Sequence, residues 1–381
     1  MPYWRLSNFY FFYFASLGAL LPYWNPYLKT LGFSSFQIGF LMAIVMGTKI
    51  VAPNIWGWIA DHTGRRMVIV RLASLLSAVC FAGVFLDSGF WWLVLIMATF
   101  SFFWNASLPQ FEATTLNYLG SDTHRYNTIR MWGSIGFIVA SIVLGWLIEW
   151  RGLALVPLMI LLLFFTIWLS SLMVPEYSHA HPHVDHEPLR KVLMRKEVIA
   201  LLLSCLLIQA SHGAYYAFYS IYLDTYGYSN SLIGQLWALG VLAEIILFIF
   251  MVRLMPRFGS RNLFLVALLL TALRWVLVSQ FPESLLWLLI AQLLHGASFG
   301  VVHAVAIHLI HQFFTGKHQG RGQALYSSLS FGVGGALGSL LSGAFWQDIG
   351  GQNVFLLSAI CAVLAFLVAI WGVRERTVRV S

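Results

Sequence analysis

The chain has 381 residues, of which 60% are hydrophobic and only 9% charged, where a soluble domain carries roughly 25% charged residues. Water does not solvate so uncharged a surface, so the outside must meet lipid, and a reading as two or three soluble domains is excluded. The formal net charge of +8 does not mark a nucleic-acid binder, because Lys and Arg fall in short loops between apolar runs, where they set orientation in a bilayer.

A membrane span needs about 20 mainly apolar residues. Twelve such runs follow in order, at roughly 7–28, 35–59, 67–86, 90–118, 128–149, 153–173, 198–222, 231–254, 262–281, 284–312, 322–346 and 352–373. They must be helices, since an open strand in lipid leaves backbone groups unpaired. The first run, after Arg5, reads as a span, with no cleavable signal evident. Orientation follows from the basic residues. Seventeen of 22 lie at the N-terminus, in even-numbered connections or at the C-terminus: Arg5, Arg65, Arg66, Arg71, Arg125, Arg190, Lys191, Arg195, Lys196, Arg253, Arg257, Arg261, Lys317, Arg321, Arg374, Arg376 and Arg379. Only Lys29 and Arg151 lie opposite, so both termini are expected in the cytoplasm. Cys80, Cys205 and Cys361 sit inside apolar runs and are expected to be unpaired.

The polar stretch 175–197 separates six spans from six, giving an N-terminal bundle (1–174), a cytoplasmic linker (175–197) and a C-terminal bundle (198–381). His179, His181, His183 and His186 fall in the linker, where neither Cys nor fixed spacing supports a metal site. The halves also repeat. At an offset of 195, Tyr27-Leu28 aligns with Tyr222-Leu223, and Gly32, Ser34, Ile38, Gly39, Leu41 and Ala43 align with Gly227, Ser229, Ile233, Gly234, Leu236 and Ala238. Two parallel six-span repeats place a binding site between the halves near the midplane. The same offset aligns Lys49 with Glu244, a candidate pair across the central cavity.

The connection after span 2 reads Gly57-Trp58-Ile59-Ala60-Asp61-His62-Thr63-Gly64-Arg65-Arg66. It resembles the major facilitator signature, which the family uses as a conformational gate. Glycines permit the tight turn, Asp61 can cap a helix or pair across the half interface, and Arg65 and Arg66 can anchor at the anionic leaflet. A fuller resemblance comes from Gln209-Ala210-Ser211-His212-Gly213-Ala214-Tyr215-Tyr216, from Leu236 to Ile245, from Arg130-Met131-Trp132-Gly133-Ser134-Ile135-Gly136-Phe137, and from Leu294-His295, Phe299 and His303. Together these resemble the 3-phenylpropionic acid transporter family, near the lactose permease and nucleoside–proton symporter branches.

Ionisable groups inside a bilayer are costly and usually line a pathway. Glu112 and Arg130 resemble the carboxylate–arginine pair that holds substrate in the lactose permease family, and Arg130 can fork onto a carboxylate; the alternative is a structural ion pair. Glu244, Arg274 and His295 match that family's proton-coupling cluster in order and approximate spacing, but Ser298 stands where the family has a second carboxylate. Glu244 would then take a proton as Arg274 moves, with His295 and His303 as relays. His212, Tyr216 and Tyr219, at i, i+4 and i+7, share one face of span 7 and suit an aromatic solute. Tyr23, Trp24 and Asn25 fit a headgroup-level belt, and His308 and His311 an interfacial position.

The resemblance implies a monomeric, proton-coupled importer in a bacterial-type inner membrane, carrying a small aromatic carboxylate such as 3-phenylpropionate by alternating access, with Arg130 or Arg274 meeting the carboxylate. Its partners would be substrate, protons and lipid, without cofactor or nucleic acid. A sugar or nucleoside symporter and a drug exporter are alternatives within the class; a transporter-like receptor and a membrane enzyme are alternatives outside it. No Walker loop is present, so ATP does not drive the protein directly.

Overall fold

The computed structural model describes residues 2–120, 122, 125–176, 189–315 and 318–374. The linker histidines His179, His181, His183 and His186 lie outside the described residues, as do Lys317, Arg376 and Arg379. The described residues are almost wholly helical and contain no strand, as the backbone of a lipid-immersed chain requires.

The first half holds span 1 (Tyr3–Thr30), span 2 (Ser35–Thr63), span 3 (Arg66–Phe81, extended by the tight turn Ala82–Phe85), span 4 (Phe90–Leu119), span 5 (Tyr126–Arg151) and span 6 (Val156–Leu172). In the second half, span 7 is two helices, Lys196–Ser211 and Gly213–Thr225, meeting at His212. Spans 8 (Asn230–Phe258) and 9 (Ser260–Gln280) are unbroken. Span 10 runs from Leu285 to Phe313 through a wide π-helical turn at Gly296–Val301. Span 11 begins at His318 and carries a second wide turn at Ser328–Gly334, and span 12 ends at Gly372. Gly350, at φ 80°, breaks the helix between them, and the chain reverses there; the positive-φ conformation is open to glycine and strained for other residues.

By length and apolar composition alone, ten stretches cross a membrane. The other two spans are present but hidden: spans 11 and 12 count as one stretch, and span 1 is a 28-residue helix whose Tyr, Trp, Asn and Pro residues dilute its apolar character. The fold is therefore twelve membrane-spanning helices in two pseudo-symmetric six-helix sets.

Ser34 starts span 2 with a reciprocal capping box: its hydroxyl accepts from Gln37 N–H, and the Gln37 side chain accepts from Ser34 N–H. The repeat-equivalent Ser229 caps span 8 by accepting from Leu232 N–H. These caps satisfy helix-end donors, and they fix equivalent starting points for two helices that play equivalent parts.

The halves meet through span 2 against span 11, span 5 against span 8, and span 1 against span 7. Repeat-related glycines make two of these contacts possible. A Cβ on Gly39 would lie 2.6 Å from the Ser339 carbonyl oxygen and 2.8 Å from Gly343 Cα. A Cβ on Gly234 would collide with the Ser141 carbonyl and the Tyr23 hydroxyl. Both glycines lie near the end of the bundle opposite the chain termini. There the Tyr23 hydroxyl donates to the carbonyls of Ser141 and Asn230, Asn25 Nδ2 donates to the Tyr216 carbonyl at 3.0 Å, and Lys29 pairs with Asp224 at 3.8 Å. Tyr23 and Asn25, expected as a headgroup belt, are instead buried in this contact, and Trp24 is buried within the first half, 5.3 Å from the Phe81 ring centre. The halves are thus zipped together at the end away from the termini.

Candidate functional site

The repeat puts Lys49 and Glu244 at matching depth, each ten residues beyond the glycine that docks its helix onto the other half, about 15 Å along the axis. In span 8, Glu244 projects toward span 10, where its Oε1 lies 2.7 Å from His295 Nε2. Both side chains are largely shielded, at 14% and 7% exposure. Lys49 is not drawn into this pair: among the described residues Glu244 takes His295 as its ion partner, and Lys49 has none. The candidate cross-half pair is therefore not formed in this conformation.

Arg274, in span 9, is completely buried. Its Nη1 donates to Ser298 Oγ at 3.1 Å and its Nη2 to Gln292 Oε1 at 3.4 Å. Nη1 also lies 3.5 Å from His212 Nε2. The guanidinium carbon sits 4.4 Å from the Tyr215 ring centre and 4.3 Å from that of Trp275, where aromatic faces attract a cation. Geometry fixes the His212 tautomer. Its Nδ1 is 2.8 Å from the Ile208 carbonyl, which can only accept, so Nδ1 carries the proton and Nε2 turns its lone pair to Arg274. No carboxylate contacts Arg274 among the described residues; neutral dipoles and rings surround it.

Two members of this cluster are not apparent in the sequence. Gln292, one helical turn before His295, accepts from both Arg274 and the Tyr215 hydroxyl, the latter at 3.3 Å. Tyr215, rather than Tyr219, faces the guanidinium. Tyr219 instead packs against Tyr215 and Trp237, at 4.8 and 5.9 Å between ring centres, and its hydroxyl is buried without a hydrogen-bond partner among the described residues. Tyr216 stays beside His212, with ring centres 5.9 Å apart. An i, i+3 spacing to His295 is the available signal for Gln292, weak because a neutral glutamine does not stand out in an apolar run.

His303 lies beyond the wide turn of span 10, with Nδ1 2.9 Å from the Tyr326 hydroxyl on span 11. Phe299 bridges the two histidines, 5.7 Å from the His295 ring and 6.0 Å from that of His303. Two side chains would not otherwise span this gap, so the rings form a continuous row down span 10. Among the described residues His308 bonds to Gln312 on its own helix, at 2.9 Å.

In the first half, Arg130 Nε lies 3.8 Å from Glu112 Oε1, and Tyr126 donates to the same oxygen at 3.2 Å. Arg130 also covers the Phe14 ring at 3.8 Å. Both charged side chains are about a third exposed, 30% for Arg130 and 31% for Glu112.

The gate motif folds locally. Gly64 closes span 2 in the left-handed conformation at φ 66°, and Asp61 pairs with Arg66. Arg66 Nη1 also donates to Gln110 on span 4 at 2.7 Å. Among the described residues Asp61 neither caps a helix nor reaches across to the second half, and Arg65 precedes span 3 without a side-chain cap.

Two six-span sets, docked at one end and carrying ion pairs within their spans, are the architecture of a secondary transporter. The chain belongs to the MFS_1 like family, whose model matches residues 3–357. It is 29% identical over 365 residues to the probable 3-phenylpropionic acid transporter of Escherichia coli (strain K12), covering 93% of this chain and 94% of that protein. It is 27% identical to the maltose permease of Geobacillus stearothermophilus, covering 97% and 94% of the two chains. Among solved structures, the nucleoside transporter NupG superposes with a TM-score of 0.82, at 17% identity over 99% of this chain and 100% of that one. The protein is a multi-pass membrane transporter of the major facilitator type, and these relatives are transporters rather than enzymes.

Proposed function

We propose that this transporter imports a small aromatic monocarboxylate, such as 3-phenylpropionate, together with protons. The observation that carries this reading is the charge count within the membrane spans. Lys49, Arg130 and Arg274 supply three cations, while Glu112 and Glu244 supply two carboxylates. An uncompensated charge in a low-dielectric interior is costly, and a monoanionic solute neutralises the excess. Similarity to the probable 3-phenylpropionic acid transporter points to the same solute class. The Glu244–His295 pair, joined by a single short contact, is the proton site in this reading, with His303 and Tyr326 continuing the polar path.

On the distribution of Lys and Arg, the end bearing the termini is cytoplasmic. The zipped end then faces outward, and this conformation is the inward-facing member of an alternating-access cycle. The division into bundles 1–174 and 198–381 supplies the two rocking bodies, acting as a monomer in the inner membrane.

The test is gradient-driven uptake of labelled 3-phenylpropionate into proteoliposomes by the intact protein and by Glu244→Gln. Accumulation by the intact protein, lost in the variant while exchange persists, supports solute and proton site together. Absence of uptake by intact, folded protein sinks the reading. A second reading, symport of a neutral sugar or nucleoside, is favoured by the similarity to maltose permease, and maltose and uridine uptake in the same vesicles decides it.

A further inference from the structure

We propose that Lys49 is the residue that receives the solute's carboxylate, across the central space from the Glu244–His295 pair. The proposal rests on the anionic-solute reading above and selects among the three interior cations.

Arg274 is closed to a ligand in this conformation. It has no exposed surface, both terminal nitrogens are hydrogen-bonded, and two aromatic rings cover it. Arg130 is accessible but already faces Glu112. Lys49 is partly exposed and, among the described residues, has neither an ion pair nor a hydrogen bond.

Its direction follows from the contacts of span 2. Val45 and Thr48 face span 4, since Asn105 donates to the Val45 carbonyl at 3.1 Å and to the Thr48 hydroxyl at 2.9 Å. Met46 and Ile50 face span 11, where a Cβ on Gly335 would lie 3.4 Å from Met46 Cγ and one on Gly332 would lie 2.5 Å from Ile50 Cγ1. Val51, Ile55 and Trp58 form the exposed, lipid-facing side, at 49%, 44% and 63%. At about 100° per residue, Lys49 falls in the arc between the span 4 and span 11 contacts, opposite the lipid face. That arc looks into the space between the halves.

The depth is equally constrained. Glu244 and Lys49 are repeat equivalents, each ten residues from a glycine pinned to the opposite half. The ammonium therefore stands level with the proton site, on the other wall. A carboxylate held by Lys49 lies between a fixed cation and an acid that must shed its proton for the cluster to reset. A single ammonium and one excess positive charge select a monoanion; a neutral sugar or nucleoside leaves Lys49 without a counter-charge.

The experiment measures equilibrium binding of labelled 3-phenylpropionate to purified full-length protein, with the uncharged 3-phenylpropanol as competitor. Lys49→Gln is expected to raise Kd at least about tenfold, the loss of one charge-assisted hydrogen bond, while Lys49→Arg stays within about threefold. Competition by 3-phenylpropanol should be equal in all three proteins, which also shows that each is folded. An unchanged Kd in Lys49→Gln overturns the role of Lys49 while the anionic-solute reading stands. So does a Lys49→Arg protein no better than Lys49→Gln. Wild-type protein that ignores 3-phenylpropionate but binds maltose or uridine, unaffected by Lys49→Gln, removes the functional reading and this proposal with it.

Discussion

Replacing Gly39 by alanine tests whether the end away from the termini is held shut by helix contact. The added Cβ would lie 2.6 Å from the Ser339 carbonyl oxygen and 2.8 Å from Gly343 Cα. Both are backbone atoms, so no side chain can swing aside. A carbon needs roughly 3.3 Å from a carbonyl oxygen, so spans 2 and 11 must part by roughly 0.7 Å. Overpacking of this kind costs about 1–3 kcal/mol. Assigned wholly to the zipped conformation, that shifts its population against the alternative by about 5- to 150-fold, at 1.4 kcal/mol per factor of ten. The readout is the labelling rate of Ser231→Cys by a membrane-impermeant maleimide in right-side-out vesicles, with Cys80, Cys205 and Cys361 removed. Ser231 is 9% exposed and lies against Gly145 in the contact between spans 8 and 5. Gly39→Ala should accelerate labelling at least about fivefold, the lower end of that shift. Gly47→Ala is the control, because nothing lies within 4 Å of its Cβ. Equal rates for Gly39→Ala and the parent would refute the view that close backbone approach holds the zipped end.

Gln292→Leu removes the acceptor shared by Arg274 and Tyr215, and a buried donor left unpaired costs about 1–3 kcal/mol; thermal unfolding in detergent should shift down. Gln292→Glu keeps the acceptor oxygens and gives Arg274 a carboxylate, so it should unfold at least as high as the parent; a fall equal to that of Gln292→Leu would show that shape rather than acceptance matters there. Lys29→Ala should be mild. Lys29 and Asp224 are 46% and 58% exposed, and an exposed pair is worth about 0–1 kcal/mol, so uptake should remain within about fivefold of the parent; abolished uptake would mean that the pair does more than help hold the zipped end.

Apolar length is a one-dimensional property, and it carries twelve spans and their order. The repeat carries more: the matched glycines at 39 and 234 are matched docking points. The break of span 7 at His212 and the wide turns of spans 10 and 11 are not legible, because each depends on packing between segments distant in sequence. The Glu244–His295 contact and the Glu112–Arg130 contact join residues marked by charge alone. Gln292 and Tyr215 escape notice because a neutral amide and one tyrosine among several carry no local sign of their partners. The repeat sets Lys49 and Glu244 at one depth, but depth does not fix the distance across a space.

Lys29 and Asp224, described above as a contact between the halves, are also separated by the repeat offset of 195. A position that meets its own counterpart must lie beside the axis relating the two repeats, so this pair marks where that axis leaves the molecule. Two identical halves would place like beside like at that point, lysine on lysine or aspartate on aspartate, and would repel. Attraction there requires the halves to differ, and an exchange of the two residues (Lys29→Asp with Asp224→Lys) should leave it intact. On the axis, asymmetry is what makes contact possible.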